Sequence, residues 1–173
     1  MKNAKFLFVA LFSLGLFISS CSDDDDDETT TPTPTPTPAV NPIVGDWTAY
    51  DVSVILSRAG VDSIKAAFNA NNTYLVVSTS SGSNTTYEGT YTVSADPDTA
   101  GIYTILLNQS LPSTATSEGI FKVYAASPDS MWYEVAQTNP TITGVTAPTL
   151  AGGFGSTSNG FFGTDNIQKY TRD

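Results

Sequence analysis

The chain has no histidine and only one cysteine in 173 residues, and these two shortages exclude much common enzyme chemistry. Without histidine it cannot build a Ser-His-Asp or Cys-His catalytic group, an imidazole zinc site or an imidazole proton shuttle. With Cys21 as its single thiol it cannot form an intramolecular disulfide. We therefore predict that the protein is not an enzyme and that it uses no metal and no cofactor.

Basic residues are also scarce, since seven Lys and Arg stand against 17 Asp and Glu, a formal net charge of −10. Nucleic-acid binding needs Lys and Arg clustered at phosphates, so we expect no nucleic-acid partner. Downstream of residue 20, no apolar run has the ~20 residues that a transmembrane helix needs. The N-terminal region is therefore the candidate for a membrane anchor.

The first 21 residues have the order of a bacterial export signal. Two lysines precede an apolar run at 6–17, which is too short to span a bilayer as a helix. The next four residues, Ile-Ser-Ser-Cys at 18–21, resemble a bacterial lipobox. This resemblance implies that residues 1–20 are removed and that the thiol of Cys21 carries a diacylglycerol. The alternative is an ordinary secretory signal followed by a chance cysteine.

A linker is predicted at residues 21–41. Asp23–Glu28 is a run of six acidic residues, which repel one another and favour extended, solvated chain. Thr29–Pro38 alternates Thr and Pro, a pattern typical of a polyproline II stalk. The position of the acidic run resembles the signal that sends lipoproteins of Bacteroidota-type bacteria to the outer face of the outer membrane. The alternative is a charged spacer without a sorting role.

From Pro42 onward the sequence consists of short strand-like segments separated by Gly, Asn, Asp, Ser and Pro turns. The alternation is clearest at 85–94, where Tyr87, Tyr91 and Val93 share one side. We predict no helix of useful length and an all-β fold, a small antiparallel up-and-down barrel of about eight strands. The glycine-rich segment 138–165 breaks this rhythm and is expected to be functional or disordered. The predicted strands are 44–56, 64–68, 73–79, 85–94, 102–107, 119–126, 131–137 and 166–172.

The tripeptide Gly45-Asp46-Trp47 resembles the Gly-x-Trp signature of lipocalins. Segments 68–74 and 87–93 are similar to the lipocalin-like domains of bacterial lipoproteins. The resemblance covers residues 42–173, which we assign to one barrel domain. It implies that a late arginine, Arg172, packs across Trp47 and helps to close the base of the barrel.

Several aromatic residues are candidates for recognition. Tyr and Trp offer an apolar face with a polar group, so they could line a cavity or stack on a sugar ring. The alternative is that they form the barrel core. We predict a surface-anchored, non-enzymatic outer-membrane lipoprotein that binds a small apolar ligand or serves as an envelope module with its interior filled by side chains. The alternative is a carbohydrate-binding or adhesive module. The candidate ligand-lining residues are Tyr50, Tyr87, Tyr91 and Tyr133, with Trp132 as a further aromatic.

Carboxylates supply the remaining reactive groups. Two of Glu88, Glu118 and Glu134 could meet as an acid/base pair, although outward-facing polar positions of alternating strands explain them more simply. Asp96 and Asp98 could bind calcium, although an Asx turn is the simpler interpretation.

Three tripeptides, each Asp followed by Ser or Thr and an apolar residue, resemble the O-glycosylation motif of exported Bacteroidota proteins. The residues that would be modified are Ser63, Thr99 and Ser130.

Intact mass spectrometry of the protein extracted from its own membranes tests these modifications. We expect a chain that begins at Cys21 and carries an excess of diacylglycerol scale, because the lipobox directs acylation of the thiol. A hexose-scale excess would indicate modification at the Asp-Ser/Thr sites. The Cys21→Ser variant should lose the acyl excess and keep any hexose; an unmodified chain starting at another residue would contradict the lipobox interpretation.

Overall fold

The computed structural model describes residues 41–173. The predicted signal peptide, the lipidation of Cys21 and the acidic and Thr/Pro-rich linker lie outside the described residues.

Eight strands form a closed barrel in which each strand pairs antiparallel with the next and the last pairs with the first. This topology confirms the predicted all-β, up-and-down barrel of eight strands. Closure leaves no unpaired sheet edge, and the described residues form one compact unit around one hydrophobic core, as expected of a domain that folds on its own. The strands are β1 Gly45–Ala49, β2 Ser63–Phe68, β3 Thr73–Ser80, β4 Ser83–Val93, β5 Tyr103–Leu111, β6 Ala115–Tyr124, β7 Ser130–Asn139 and β8 Gln168–Arg172.

The first strand is shorter than predicted, and a short helix follows it. β1 ends at Ala49, and α1 occupies Val54–Arg58. The side chain of Ser53 accepts a hydrogen bond from the backbone N–H of Leu56 at 3.4 Å, which caps the helix. Because the backbone turns here, the alternating pattern that the sequence shows through residue 56 does not continue as a strand.

Trp47 and Arg172 close one end of the barrel, which we call the closed end. Trp47 is fully buried, and its indole Nε1 donates to the carbonyl of Ile43 at 2.8 Å. The guanidinium of Arg172 lies over the indole, 4.1 Å from the ring centroid. It also donates to the carbonyls of Val44 at 2.7 Å and Pro42 at 3.0 Å. The stacked pair therefore ties the last strand to the segment that enters the barrel.

Gly45 makes this stacking sterically feasible. Its φ of +138° lies in a region that side chains with a Cβ rarely adopt, and a Cβ built there would collide with the Arg172 guanidinium. The glycine of the Gly-x-Trp pattern is thus required by the approach of an arginine from the other end of the sequence.

An aromatic cluster fills the interior next to the closed end. Phe68 is its centre, with ring centroids 5.3 Å from Tyr91, 6.2 Å from Tyr133 and 6.3 Å from Tyr74. The hydroxyl of Tyr91 donates to the carbonyl of Asn69 at 2.9 Å, which fastens the β2–β3 turn to the core.

The opposite end, which we call the mouth, is where β1, β3, β5 and β7 finish and β2, β4, β6 and β8 begin. Its connections are residues 50–62, which include α1, and residues 81–82, 112–114 and 140–167. Side chains of Leu56 and Val61 reach from the first connection toward the interior.

The closed end generates a stability prediction. Arg172→Met should lower the free energy of unfolding of residues 41–173 by about 2 kcal/mol or more, because it removes the cation–π contact and charged hydrogen bonds. Lys169→Met is the matched control, since Lys169 is exposed and its Nζ lies 5.4 Å from the Trp132 centroid on the outer face. The Lys169→Met variant should lose less than about 1 kcal/mol in the free energy of unfolding. Urea unfolding followed by tryptophan fluorescence measures both, and equal losses would contradict the role of Arg172.

Candidate functional site: the barrel cavity and the covered outer face

A cavity of about 310 Å³ lies inside the barrel between the mouth and the aromatic cluster. This volume is at the lower end of the range for small-molecule sites, roughly 300–1,000 Å³. Its lining comes from α1, from the turn between α1 and β2, and from the seven strands β2–β8. The lining residues are Leu56, Val61, Ile64, Tyr74, Val76, Ser78, Tyr87, Leu107, Gln109, Ser117, Tyr133, Val135, Gln168 and Tyr170.

No lining side chain of this cavity carries a charge. The polar groups are phenols, hydroxyls and amides, and the hydroxyl of Tyr170 donates to Oε1 of Gln168 at 2.6 Å. Burial raises the pKa of Tyr170. Burial also raises the pKa of Tyr133, and the nearby Tyr170 and Tyr74 raise it further. These phenols stay protonated well beyond neutral pH, so the cavity offers neutral hydrogen-bonding groups in an apolar surface.

The four tyrosines predicted to line a ligand site have three different positions. Tyr87 and Tyr133 line the cavity. Tyr91 is buried in the aromatic cluster and does not border the cavity. Tyr50 is 78% exposed, so its prediction as a lining residue is wrong. The cause is the end of β1 at Ala49, which places Tyr50 outside the alternating pattern.

The sequence analysis missed most of the lining residues, among them four with a phenol or an amide group: Tyr74, Gln109, Gln168 and Tyr170. Tyr74 and Tyr170 keep period 2 within β3 and β8, so the strand alternation contained a signal for both. The glutamines carried no such signal, because a polar residue in an alternating strand is normally assigned to the outer face.

The outer face of β7 contains a buried carboxylate. Glu134 has no solvent exposure, although it points away from the barrel interior, and it lies opposite the equally buried Ile120 of β6. Backbone N–H groups of Gly155 and Thr157 donate to its oxygens at 2.6 and 3.1 Å, and the Thr157 hydroxyl donates at 2.5 Å. Glu134 therefore faces outward, as the strand alternation indicates, but it is buried because the 140–167 connection covers it.

This carboxylate holds the glycine-rich connection against the barrel. Asn166 donates to the Thr157 hydroxyl at 3.0 Å and to the carbonyl of Val135 at 3.2 Å, which extends the network back to β7. Two 3-10 turns, Thr157–Gly160 and Gly163–Asn166, give the segment local structure. The sequence analysis expected this segment to be functional or disordered; the hydrogen bonds and the two turns show that it is ordered.

Neither of the other predicted glutamates forms a carboxylate pair with Glu134. Glu88 and Glu118 are exposed, and Glu118 accepts a hydrogen bond from the Thr138 hydroxyl at 3.1 Å. Asp98 accepts from the backbone N–H groups of Ala100 and Ile102 at 2.9 and 2.8 Å, so it structures its own turn. Among residues 41–173, no group of three or more acidic side chains has the geometry to hold a metal ion.

The three Asp-Ser/Thr sites lie on different parts of the surface. Thr99 is exposed in the β4–β5 connection, whereas Ser63 and Ser130 are half-buried first residues of β2 and β7. No helix within the described part of the chain is long and apolar enough to cross a membrane.

Comparison with known proteins finds no matching family model, no matching curated protein and no matching solved structure.

Glu134→Gln tests the role of the buried carboxylate. The amide nitrogen cannot accept from the backbone donors of the glycine-rich segment, so we expect a loss of about 1–3 kcal/mol in the free energy of unfolding. Cleavage by proteases within 140–167 should become faster. Glu118→Gln makes the same chemical change at an exposed position, and its free energy of unfolding should stay within about 0.5 kcal/mol of that of the unmodified protein. Similar effects of the two variants in urea unfolding and limited proteolysis would contradict the assignment.

Proposed function

We propose that the protein is a lipid-anchored, non-enzymatic lipoprotein of the bacterial outer membrane, exposed at the cell surface, whose lipocalin-like barrel binds a small, uncharged and mostly apolar molecule. The observation that carries the binding proposal is the uncharged 310 Å³ cavity below the mouth. The lipobox resemblance at Cys21 and the acidic run after it support the anchor and the location.

The lining of the cavity specifies the class of ligand. A buried charge without a partner is costly, and the lining offers none of opposite sign. Apolar side chains such as Val76 and Leu107 favour an apolar body. The phenols of Tyr74, Tyr87 and Tyr133 provide hydrogen-bonding groups for one or two polar atoms of a ligand.

The size of the cavity restricts the ligand further. Water occupies about 30 Å³ per molecule in the liquid, so the cavity corresponds to about ten waters. A compact ring system fits this volume better than a long acyl chain or a large macrocycle. The aromatic cluster beneath the cavity prevents a ligand from reaching deeper toward Trp47.

Two fluorescent probes with the same ring system test the proposal on residues 41–173. N-phenyl-1-naphthylamine is neutral, whereas 1-anilinonaphthalene-8-sulfonate carries a sulfonate. We expect the neutral probe to bind and the anionic one to bind at least about tenfold more weakly, because its charge would be buried unpaired. Equal affinities, or no binding of the neutral probe, would contradict the proposal.

A pair of neighbouring valines supplies the structural control. Val76 lines the cavity, whereas Val77 has the opposite orientation on β3. Val76→Trp should abolish binding of the neutral probe by filling the space, and Val77→Trp should leave it unchanged. Native mass spectrometry of the barrel from its own host would then give the mass of a natural ligand that is lost on denaturation.

A second candidate function, carbohydrate binding, is favoured by one feature of the outer face. Trp132 is partly exposed, with Phe154 of the glycine-rich segment and Tyr124 edge-on at 5.6 and 5.7 Å. Such a cluster offers an apolar surface on which a sugar ring could stack. The Nζ of Lys169 lies over the same ring, so a sugar would have to displace it or use the other face. This candidate becomes the preferred one if the cavity rejects the neutral probe.

A further inference from the structure

Large exposed apolar side chains are distributed unequally between the two ends of the barrel. Seven such residues occur in the described part of the chain. Five of them lie at the mouth, and we call these five the mouth rim. None lies in the closed-end connections 69–72, 94–102 and 125–129. The mouth rim consists of Tyr50, Val54, Leu111, Ile142 and Phe161.

The mouth rim draws on three segments of the chain: the 50–62 connection, the end of β5 and the 140–167 connection. Tyr50 follows β1, and Val54 begins α1. Leu111 is the last residue of β5, and Ile142 follows the end of β7. Phe161 lies between the two 3-10 turns, the second of which contacts α1. The two most exposed are Tyr50 at 78% and Phe161 at 83%.

Packing within the domain does not account for these exposures. Isolated exposed apolar residues are common on soluble surfaces and need no explanation. Here, however, they collect at the end that also contains the cavity opening, while the opposite connections carry small and polar residues such as Asn71, Asp96 and Pro128. The connections at the two ends therefore differ, and the exposed large apolar side chains outside the strands lie in the mouth connections. The other two, Leu75 and Trp132, lie on the outer faces of β3 and β7.

Charge indicates which kind of surface the mouth rim fits. The mouth connections contain Asp51, Asp62 and Asp165 against Arg58, so they are weakly acidic. Attraction to an anionic surface is therefore unfavourable, and any contact must depend on burial of apolar side chains. The rim consists of separate tips on separate segments, which suits shallow insertion into a fluid lipid interface better than docking on a rigid protein face.

We propose that the mouth rim inserts into the surface of a lipid bilayer, so that the cavity opens toward the apolar phase. An uncharged apolar ligand would then pass between the membrane and the cavity without crossing bulk water. The transfer of a ligand rests on the proposed function, which supplies both the class of ligand and a nearby membrane. The lipid contact itself depends only on the mouth rim.

The length of the chain before the barrel permits this orientation. The chain enters the barrel at residue 41 at the closed end, opposite the mouth, and nineteen residues lie between Cys21 and residue 41. Fully extended, those residues span at most about 70 Å. The longest strand, β4, has 11 residues and is about 36 Å long. A chain anchored at Cys21 can therefore reach past the barrel while the mouth faces the same membrane.

Vesicle flotation with residues 41–173, which lack the anchor, tests the proposal. We expect the barrel to float with neutral phosphatidylcholine vesicles, and to do so equally well at low and high salt, because charge does not drive the contact. The double variant Leu111→Ser/Phe161→Ser should reduce the bound fraction about tenfold or more. No flotation of the unmodified barrel, or flotation only with anionic vesicles at low salt, would overturn the proposal.

An exposed leucine outside the mouth rim, Leu75, provides a matched control for Leu111. Leu75→Ser removes an exposed leucine and should leave flotation within about twofold of the unmodified barrel, whereas Leu111→Ser, the same change within the mouth rim, should reduce flotation further. Equal losses of flotation in Leu75→Ser and Leu111→Ser would overturn the proposal, as would a concentration-dependent dimer that the Leu111→Ser/Phe161→Ser variant lacks.

Binding of the neutral naphthylamine probe distinguishes this inference from the proposed function. The Leu111→Ser/Phe161→Ser variant should still bind the probe, since neither residue lines the cavity. A barrel that binds the probe but no vesicles refutes the membrane contact alone, whereas one that floats through its mouth rim without binding the probe refutes the ligand proposal alone.

Discussion

The barrel depends on the contact between Arg172 and Trp47. The seam between β1 and β8 is the shortest in the sheet, with only two residue pairs, Trp47 with Arg172 and Thr48 with Thr171. Side-chain contacts strengthen this seam: the guanidinium stacks on the indole, and the Thr48 hydroxyl donates to Asp173 at 3.0 Å. Without this seam, β1 and β8 would expose unpaired edges, and the interior would lose its base.

Packing at the closed end of the barrel leaves space for a cavity toward the mouth. The aromatic cluster around Phe68 occupies the space above Trp47, and the interior cavity lies between this cluster and the mouth. Side chains there are smaller or polar, such as Ser78, Ser117 and Gln109, and they do not meet across the barrel. The same sheet is therefore a packed core at one end and a neutral cavity at the other, surrounded by exposed apolar residues. This difference between the two ends supports the proposed binding function at the mouth.

The outer face has its own organising group in Glu134. Three hydrogen bonds to the carboxylate, two of them from backbone N–H groups, hold the glycine-rich segment over β6 and β7. Glycine at 155 allows a φ of +89° and brings its N–H within 2.6 Å of the carboxylate. The segment consequently covers Ile120 and Glu134 and places Phe154 beside Trp132.

The sequence alone determined the eight-strand topology and the pairing of Trp47 with Arg172, since period-2 alternation and turn residues are local signals and the Gly-x-Trp resemblance identified both partners. It also located Tyr87 and Tyr133 on the inner face. The end of β1 before Tyr50, the burial of Glu134 and the polar lining at Gln109 and Gln168 were decided only by the tertiary structure. Each of these depends on groups distant in the chain, such as the backbone of Gly155 and Thr157 meeting β7, and local periodicity carries no information about such contacts.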